Sequence, residues 1–208
     1  METFYKPFRD VAGDYFDLIE LPGSRTLLVL VDVSGKGVSA ARLAANIQAL
    51  VRSIASIDEA PLAFARQINQ YLHRYAPDGG FATTVFIVLN REPGELTFVN
   101  AGHNAPVVSG HRSTTLLEAT GMPLELFADV RYETGGTVFH GGDTLLLFTD
   151  GSTDSISSSN PERLLCEALV ERSDTTMSNL KSLIDPAFNE DDVTILLLRR
   201  NASSASGV

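Results

Sequence analysis

Three short apolar runs limit what this chain can fold into more than any other feature: Leu27-Leu28-Val29-Leu30-Val31, Leu145-Leu146-Leu147-Phe148 and Ile195-Leu196-Leu197-Leu198. Apolar residues that run on without alternating, over four or five positions, read as strands buried on both faces. Each run is bounded by aspartate. Asp32 ends the first, and Asp150-Gly151 follows the second after Thr149. Asp191-Asp192 precede Val193-Thr194 and the third, and Asp14 opens a further strand after Gly13. A carboxylate at the tip of a core strand is held rigidly and partly desolvated, and several in one protein are costly unless they converge on a cation. Any one of them also reads as a turn cap, because Asp is a favoured turn residue. Four such positions, three of them bounding the most buried strands, favour a shared metal site. Oxygen ligands without His or Cys partners suit Mg²⁺ or Mn²⁺ rather than zinc.

The rest of the chain supplies the layers. Residues 14–20 and 26–33 read as strands joined at Leu21-Pro22-Gly23-Ser24. Helical spacing of Leu43, Ile47, Leu50 and Ile54 predicts a helix over 38–56. A second helix is expected over 59–75, with Asp58 as N-cap, Pro61 in the first turn, and Ala65, Ile68, Leu72 and Tyr75 as its buried stripe. After Pro77-Asp78-Gly79-Gly80 the pattern turns to strands at 81–90, 95–100, 105–109, 114–118, 130–139 and 143–149. Helices at 161–171 and 176–184, a last strand at 192–200 and a frayed tail at 201–208 complete the reading. This is an α+β pattern, two apolar-faced sheets with amphipathic helices outside, in one domain over residues 1–200.

Composition narrows the function. Of 208 residues, 16 are basic and 26 acidic, a formal charge of −10, which lacks the basic footprint of a nucleic-acid binder. The single cysteine, Cys166, permits no internal disulfide and suits a reducing, cytoplasmic setting. No apolar run approaches the ~20 residues of a membrane span, and the first residues lack a signal-peptide shape. Gly35-Lys36-Gly37 is followed by Val38, and Val31 stands where a phosphate loop needs its first Gly, so no Walker motif is present. There is no Gly-x-Ser-x-Gly elbow, and His73, His103, His111 and His140 show no metal spacing. Cys166 lies in an apolar helical stretch and reads as core. Asn100-Ala101-Gly102-His103-Asn104 reads as a tight turn between strands, with substrate contact as the alternative.

Seven blocks bring these residues into one pattern: Val11-Ala12-Gly13-Asp14-Tyr15-Phe16-Asp17, Val31-Asp32-Val33-Ser34-Gly35-Lys36-Gly37 with Ala40-Ala41, Phe81-Ala82-Thr83-Thr84, Asn100 to Asn104, Gly121-Met122-Pro123-Leu124, Leu147-Phe148-Thr149-Asp150-Gly151 and Asp191-Asp192-Val193-Thr194. In this order the chain resembles the bacterial metal-dependent serine phosphatases of the sporulation-protein-E and stress-regulator type, a branch of the PPM (PP2C-like) family. The blocks depart from that pattern at Ala12 and Glu125, each where Gly is usual, and at Ser152-Thr153-Asp154 in place of Val-Thr-Glu.

The resemblance implies a PP2C-like αββα architecture, a central antiparallel β-sandwich flanked by helices, with two divalent ions, Mn²⁺ or Mg²⁺, at one end. Carried over, Asp32 is the carboxylate bridging both ions, the Val33 carbonyl is a ligand of one, and Asp150 and Asp191 are ligands of the other. Asp14 is a further acidic ligand, direct or through water, and Asp191 is preferred to Asp192 because the family's ending uses the first position. The implied reaction is hydrolysis of phosphoserine or phosphothreonine on a protein partner, a STAS-domain anti-sigma-factor antagonist. Homodimerisation is left open, and relatives usually carry sensor or receiver domains upstream. The rival reading is a regulatory module of the same fold that docks such a partner without useful catalysis. Substrate selectivity is expected from residues 154–185, as a mobile segment following the Asp150 ligand.

Overall fold

The computed structural model describes all residues except 56, 58–59, 76–79, 111–112, 171–176, 186, 188–189 and 203–208. In chain order its elements are β1 (Glu2–Lys6), β2 (Tyr15–Leu21), β3 (Arg25–Val33), α1 (Val38–Ile54), α2 (Pro61–Tyr75), β4 (Ala82–Asn90), β5 (Glu95–Ala101), β6 (Val107–Ser109), β7 (Thr114–Leu116), β8 (Gly135–Val138), β9 (Thr144–Phe148), α3 (Asp150–Asp154), α4 (Pro161–Val170), α5 (Met177–Lys181) and β10 (Val193–Arg199). One sheet has the order β2-β3-β4-β5-β8 and the other β1-β10-β9-β6-β7, and the strand pairs of both are antiparallel.

Strand alternation sorts the apolar runs into three layers. Val29, Val31 and Val33 of β3 turn outward and are covered by Ile47 and Val51 of α1 and Phe64, Ile68 and Leu72 of α2. Leu28 and Leu30 turn the other way and meet Val85, Ile87, Leu145, Leu147 and Leu196 between the sheets. Leu146, Phe148, Val193, Ile195 and Leu197 form the outer face of the second sheet under Leu165 and Leu169 of α4 and Leu180 of α5. The central strands β3, β4, β9 and β10 are therefore buried on both faces, as the unbroken apolar runs require, and the architecture is the expected αββα.

Several expectations shift. Tyr75 is mostly exposed, and Phe64 takes its place in the buried stripe of α2. The strand expected over 130–139 shrinks to Gly135–Val138, and those over 105–109 and 114–118 to three residues each. The helix at 176–184 is ordered as α5 over Met177–Lys181. The segment 154–185, expected to be mobile, buries Ile156, Leu165, Leu169, Met177 and Leu180, so its described part is a packed outer layer. The Asp58 cap, the turn at 77–79, His111 and the tail at 203–208 lie outside the described residues.

Candidate active site

The inter-sheet layer changes character at one end of the sandwich. On β3 the sequence Leu28, Leu30, Asp32 occupies one face, and β10 does the same with Leu196, Thr194 and then Asp192. Asp32 lies directly opposite Thr83 of β4. The β2–β3 register pairs Tyr15 with Val31, and one step further sets Asp14 beside Asp32. Thr149 follows Leu147 and Phe148 on β9, and its N–H donates to the Thr194 carbonyl at 3.1 Å. Carboxylates from four segments far apart in sequence thus meet at one mouth.

Their roles there differ. Asp14 is buried, and Thr149 Oγ1 (3.0 Å) and Thr194 Oγ1 both donate to its Oδ2, which leaves Oδ1 available to a ligand. Burial pushes its carboxyl up to about 7; the two hydroxyls oppose that rise, and the charges of Asp192 and Asp150 add to it. Asp32 is held well above the ordinary carboxylate range, first by burial, then by the charges of Asp14 and Asp150, by a hydrogen bond with the Asp150 carboxyl and by the charge of Asp191. Asp150 itself is exposed at the first residue of α3.

The adjacent pair Asp191-Asp192 separates by strand alternation. Asp192 is buried and accepts backbone N–H bonds from Phe8 (2.8 Å) and Gly13 (2.6 Å), so it ties the loop before β2 to β10. Asp191 is partly exposed and pairs with Lys36 Nζ at 3.2 Å. Gly151 is needed because a Cβ there would collide with the Asp192 carbonyl, so the Asp150–Asp192 approach depends on a residue without a side chain.

A third group of residues braces the mouth. Asn100 accepts the His103 N–H at 2.8 Å and donates to the carbonyls of His103 and Leu117, closing the turn at Gly102. This seats the His103 ring in the interior, 2.9 Å from Thr83 Oγ1. Desolvation lowers His103 to about 4, against a smaller opposite pull from the Phe148 carbonyl, so the ring is neutral at physiological pH. The 100–104 block is a turn, as read from sequence, with a buried polar brace that its Gly and Asn content did not reveal. Cys166 is half-buried and its thiol pKa is raised by burial, which suits packing rather than nucleophilic attack.

Among the described residues, no three His, Cys, Asp or Glu side chains are arranged to hold a metal ion by themselves. The donor chemistry nonetheless fits a hard cation. Asp32 is crowded by Asp14, Asp150 and Asp191, whose charges all push its carboxyl up, and Mg²⁺ is commonly held by one or two carboxylates while keeping several waters.

A family model described as Stage II sporulation protein E (SpoIIE) matches residues 22–201. The chain belongs to the SpoIIE family. It is 22% identical over 189 residues to the phosphoserine phosphatase RsbP of Bacillus subtilis (strain 168), covering 88% of this chain and 46% of RsbP. The chain therefore spans about half the length of that relative. Its fold matches the SiaA-PP2C domain of Pseudomonas aeruginosa with a TM-score of 0.80 at 19% identity, over 96% of this chain and 85% of that one. It also matches RsbX, solved in complex with magnesium, with a TM-score of 0.74 at 18% identity, over 94% and 92% of the two chains. The SpoIIE-family chain thus has a PP2C-type fold, and its acidic mouth lies where the two sheets of that fold open. No described helix is long and apolar enough to cross a membrane.

Proposed function

We propose that this SpoIIE-family chain is a metal-dependent protein phosphatase that hydrolyses phosphoserine or phosphothreonine. The observation that carries the reading is the convergence of Asp14, Asp32, Asp150 and Asp191 at one mouth, where strand register sets Asp14 beside Asp32 and the charges of Asp14, Asp150 and Asp191 act on Asp32. The phosphoserine phosphatase activity in the name of RsbP and the magnesium of RsbX support it.

In this reading Asp32, the Val33 carbonyl, Asp150 and Asp191 would hold two divalent ions, Mn²⁺ or Mg²⁺, with Asp32 as the carboxylate common to both. Asp14, anchored through Oδ2 by Thr149 and Thr194, would offer its remaining oxygen to the ions or to a water they hold. When bound, such ions lower the pKa of a water and offset charge on the phosphoryl oxygens. The chain's own part is to fix the geometry: β3, β9 and β10 hold the carboxylates on rigid strand ends, so little reorganisation accompanies reaction. Water oxygen bonds to phosphorus, the bond from phosphorus to the serine oxygen breaks, and that oxygen leaves with a proton. No side chain becomes covalently modified.

The partner we propose is a phosphorylated STAS-domain anti-sigma-factor antagonist, on the resemblance set out above. Turnover of p-nitrophenyl phosphate should vanish with EDTA and return with Mn²⁺ or Mg²⁺. Activity indifferent to EDTA would remove the metal from the reading. A protein inert with either ion would leave the docking module as the better account.

A further inference from the structure

Lys36 stands on a loop whose shape serves its placement. Gly35 and Gly37 flank it with φ of 89° and 79°, and Gly37 has ψ of −149°, a region that residues with a side chain hardly enter. Nothing lies within 4 Å of where their Cβ atoms would be, so both glycines are there for backbone conformation and not for close packing. The loop is pinned on either side. The Ser34 N–H donates to the Phe81 carbonyl and the Phe81 N–H donates to Ser34 Oγ, both at 2.9 Å, and the Gly37 carbonyl accepts the first bond of α1 at 3.0 Å.

The two left-handed residues throw the Lys36 side chain across the mouth. Its Nζ donates to the Glu190 carbonyl, lies 3.2 Å from Asp191 Oδ2 and sits 5.0 Å from the centre of the Phe8 ring. The side chain remains 40% exposed, so solvent and ligands reach it. An exposed pair of this kind contributes little to stability, and two constrained glycines are a costly way to obtain it.

The surroundings supply a reason. Asp150, Asp154, Glu190, Asp191 and Asp192 crowd the mouth with negative charge that repels an incoming phosphomonoester dianion. Divalent ions would neutralise the inner carboxylates, Asp191 among them. That would release the partner Lys36 now holds and leave an ammonium with three donors at the rim.

We infer that Lys36 is the phosphate-binding cation of this site, exchanging its Asp191 contact for a phosphoryl oxygen of the substrate; the inference rests on the phosphatase reading above. The experiment uses the whole chain with saturating Mn²⁺ and three readouts: Kd for inorganic phosphate by calorimetry, KM for p-nitrophenyl phosphate, and the Mn²⁺-induced rise in Tm. For Lys36→Gln, Kd and KM should both rise about 10- to 100-fold, the size of a lost charge-assisted hydrogen bond. The Mn²⁺ midpoint should stay the same or fall, since a competitor for Asp191 is gone. Lys36→Arg should recover most of the loss by restoring the charge. A Gln variant with Kd and KM within about twofold of wild type, beside an active wild type, overturns the inference and leaves the phosphatase reading intact. A Gln variant that loses Mn²⁺ binding overturns it too, by making Lys36 a support of the metal site. A wild type that neither turns over nor binds phosphate with Mn²⁺ defeats the phosphatase reading itself.

Discussion

The layer between the sheets has two halves built on the same strands. In its middle, Leu30, Val85, Leu147 and Leu196 are at most 2% exposed and pack on one another. Two residues along each of those strands, on the same face, stand Asp32, Thr83, Thr149 and Thr194. One pleat step converts a sealed hydrocarbon core into a polar mouth. Because the backbone ladders run through both halves, the polar groups inherit the rigidity of the core. That rigidity holds carboxylates which repel one another in place, at the expense of raised pKa values. Function and stability therefore separate along the strand, and substitutions on either side of that step should separate them in measurement.

The largest effect is expected at the mouth. Asp32→Asn keeps the volume and removes the proposed bridging charge, so turnover should fall about a thousandfold or more, several kcal/mol of transition-state stabilisation. The Tm of the metal-free protein should hold or rise, because folding no longer has to protonate a buried carboxyl crowded by Asp14 and Asp150. The rise in Tm on adding Mn²⁺ should disappear. A near wild-type rate at saturating metal would take Asp32 out of the site.

Leu147→Ala, two residues from the mouth, should do the reverse. Deleting a fully buried Leu costs about 2–5 kcal/mol of stability. Once folded, the variant should keep its KM and Mn²⁺ midpoint. Urea unfolding and kinetics at low temperature check both halves, and a changed Mn²⁺ midpoint would show that core and mouth are mechanically coupled.

This division also explains what could be read from sequence. The buried strands were legible because their apolar runs are continuous, and Asp32 and Asp150 because each stands at the end of one. β1 was not, since Phe4 is its one apolar residue packed on the core, too little for a stripe, and it is a strand only by pairing with β10. The five-residue α3 is too short to show a helical period and is fixed by its packing on β10. Sequence left open which way Asp191 and Asp192 point. Alternation says that they diverge, but only the fold brings the N–H groups of Phe8 and Gly13 to Asp192. Thr149 and Thr194 lie at the period-2 positions following Leu147 and Asp192, a signal present in the sequence that would have marked them as mouth residues.

The His103 brace gives a third, intermediate effect, set by pH. Its ring titrates near 4 in the fold and near 6.5 in the unfolded chain, so between those values the unfolded state binds more protons. The stability it contributes is complete above about 6.5 and lost as pH falls towards 4, about 3 kcal/mol in all. Asp14 works in the opposite sense, since its raised pKa lets the native state keep a proton that the unfolded chain has released. The contribution of His103 is therefore isolated by difference. The stability of His103→Asn should decline less from pH 7 to 4.5 than that of wild type, and parallel pH curves would show that the ring is not neutral in the fold.

The smallest effect is expected beside the mouth, at Glu125, one of the departures from the resembled pattern. Its φ of 68° is left-handed, which costs a residue with a side chain roughly 1–2 kcal/mol. Gly would remove that strain but add conformational entropy to the unfolded chain, worth roughly 0.5–1 kcal/mol in the other direction. The loop should keep its place, because Asn69 on α2 holds it by backbone contacts: Oδ1 accepts the N–H of residue 125 at 2.8 Å, and Nδ2 donates to the carbonyls of Phe127 and Ala128. Glu125→Gly should therefore stabilise the protein by about 0.5–1 kcal/mol, the excess of relieved strain over added entropy, with turnover unchanged. Chemical denaturation resolves a change of that size when the m-value is constant. A loss of stability would mean that the Glu125 side chain makes contacts worth more than the strain it imposes, and would tie that loop to the mouth more closely than the backbone bonds from Asn69 require.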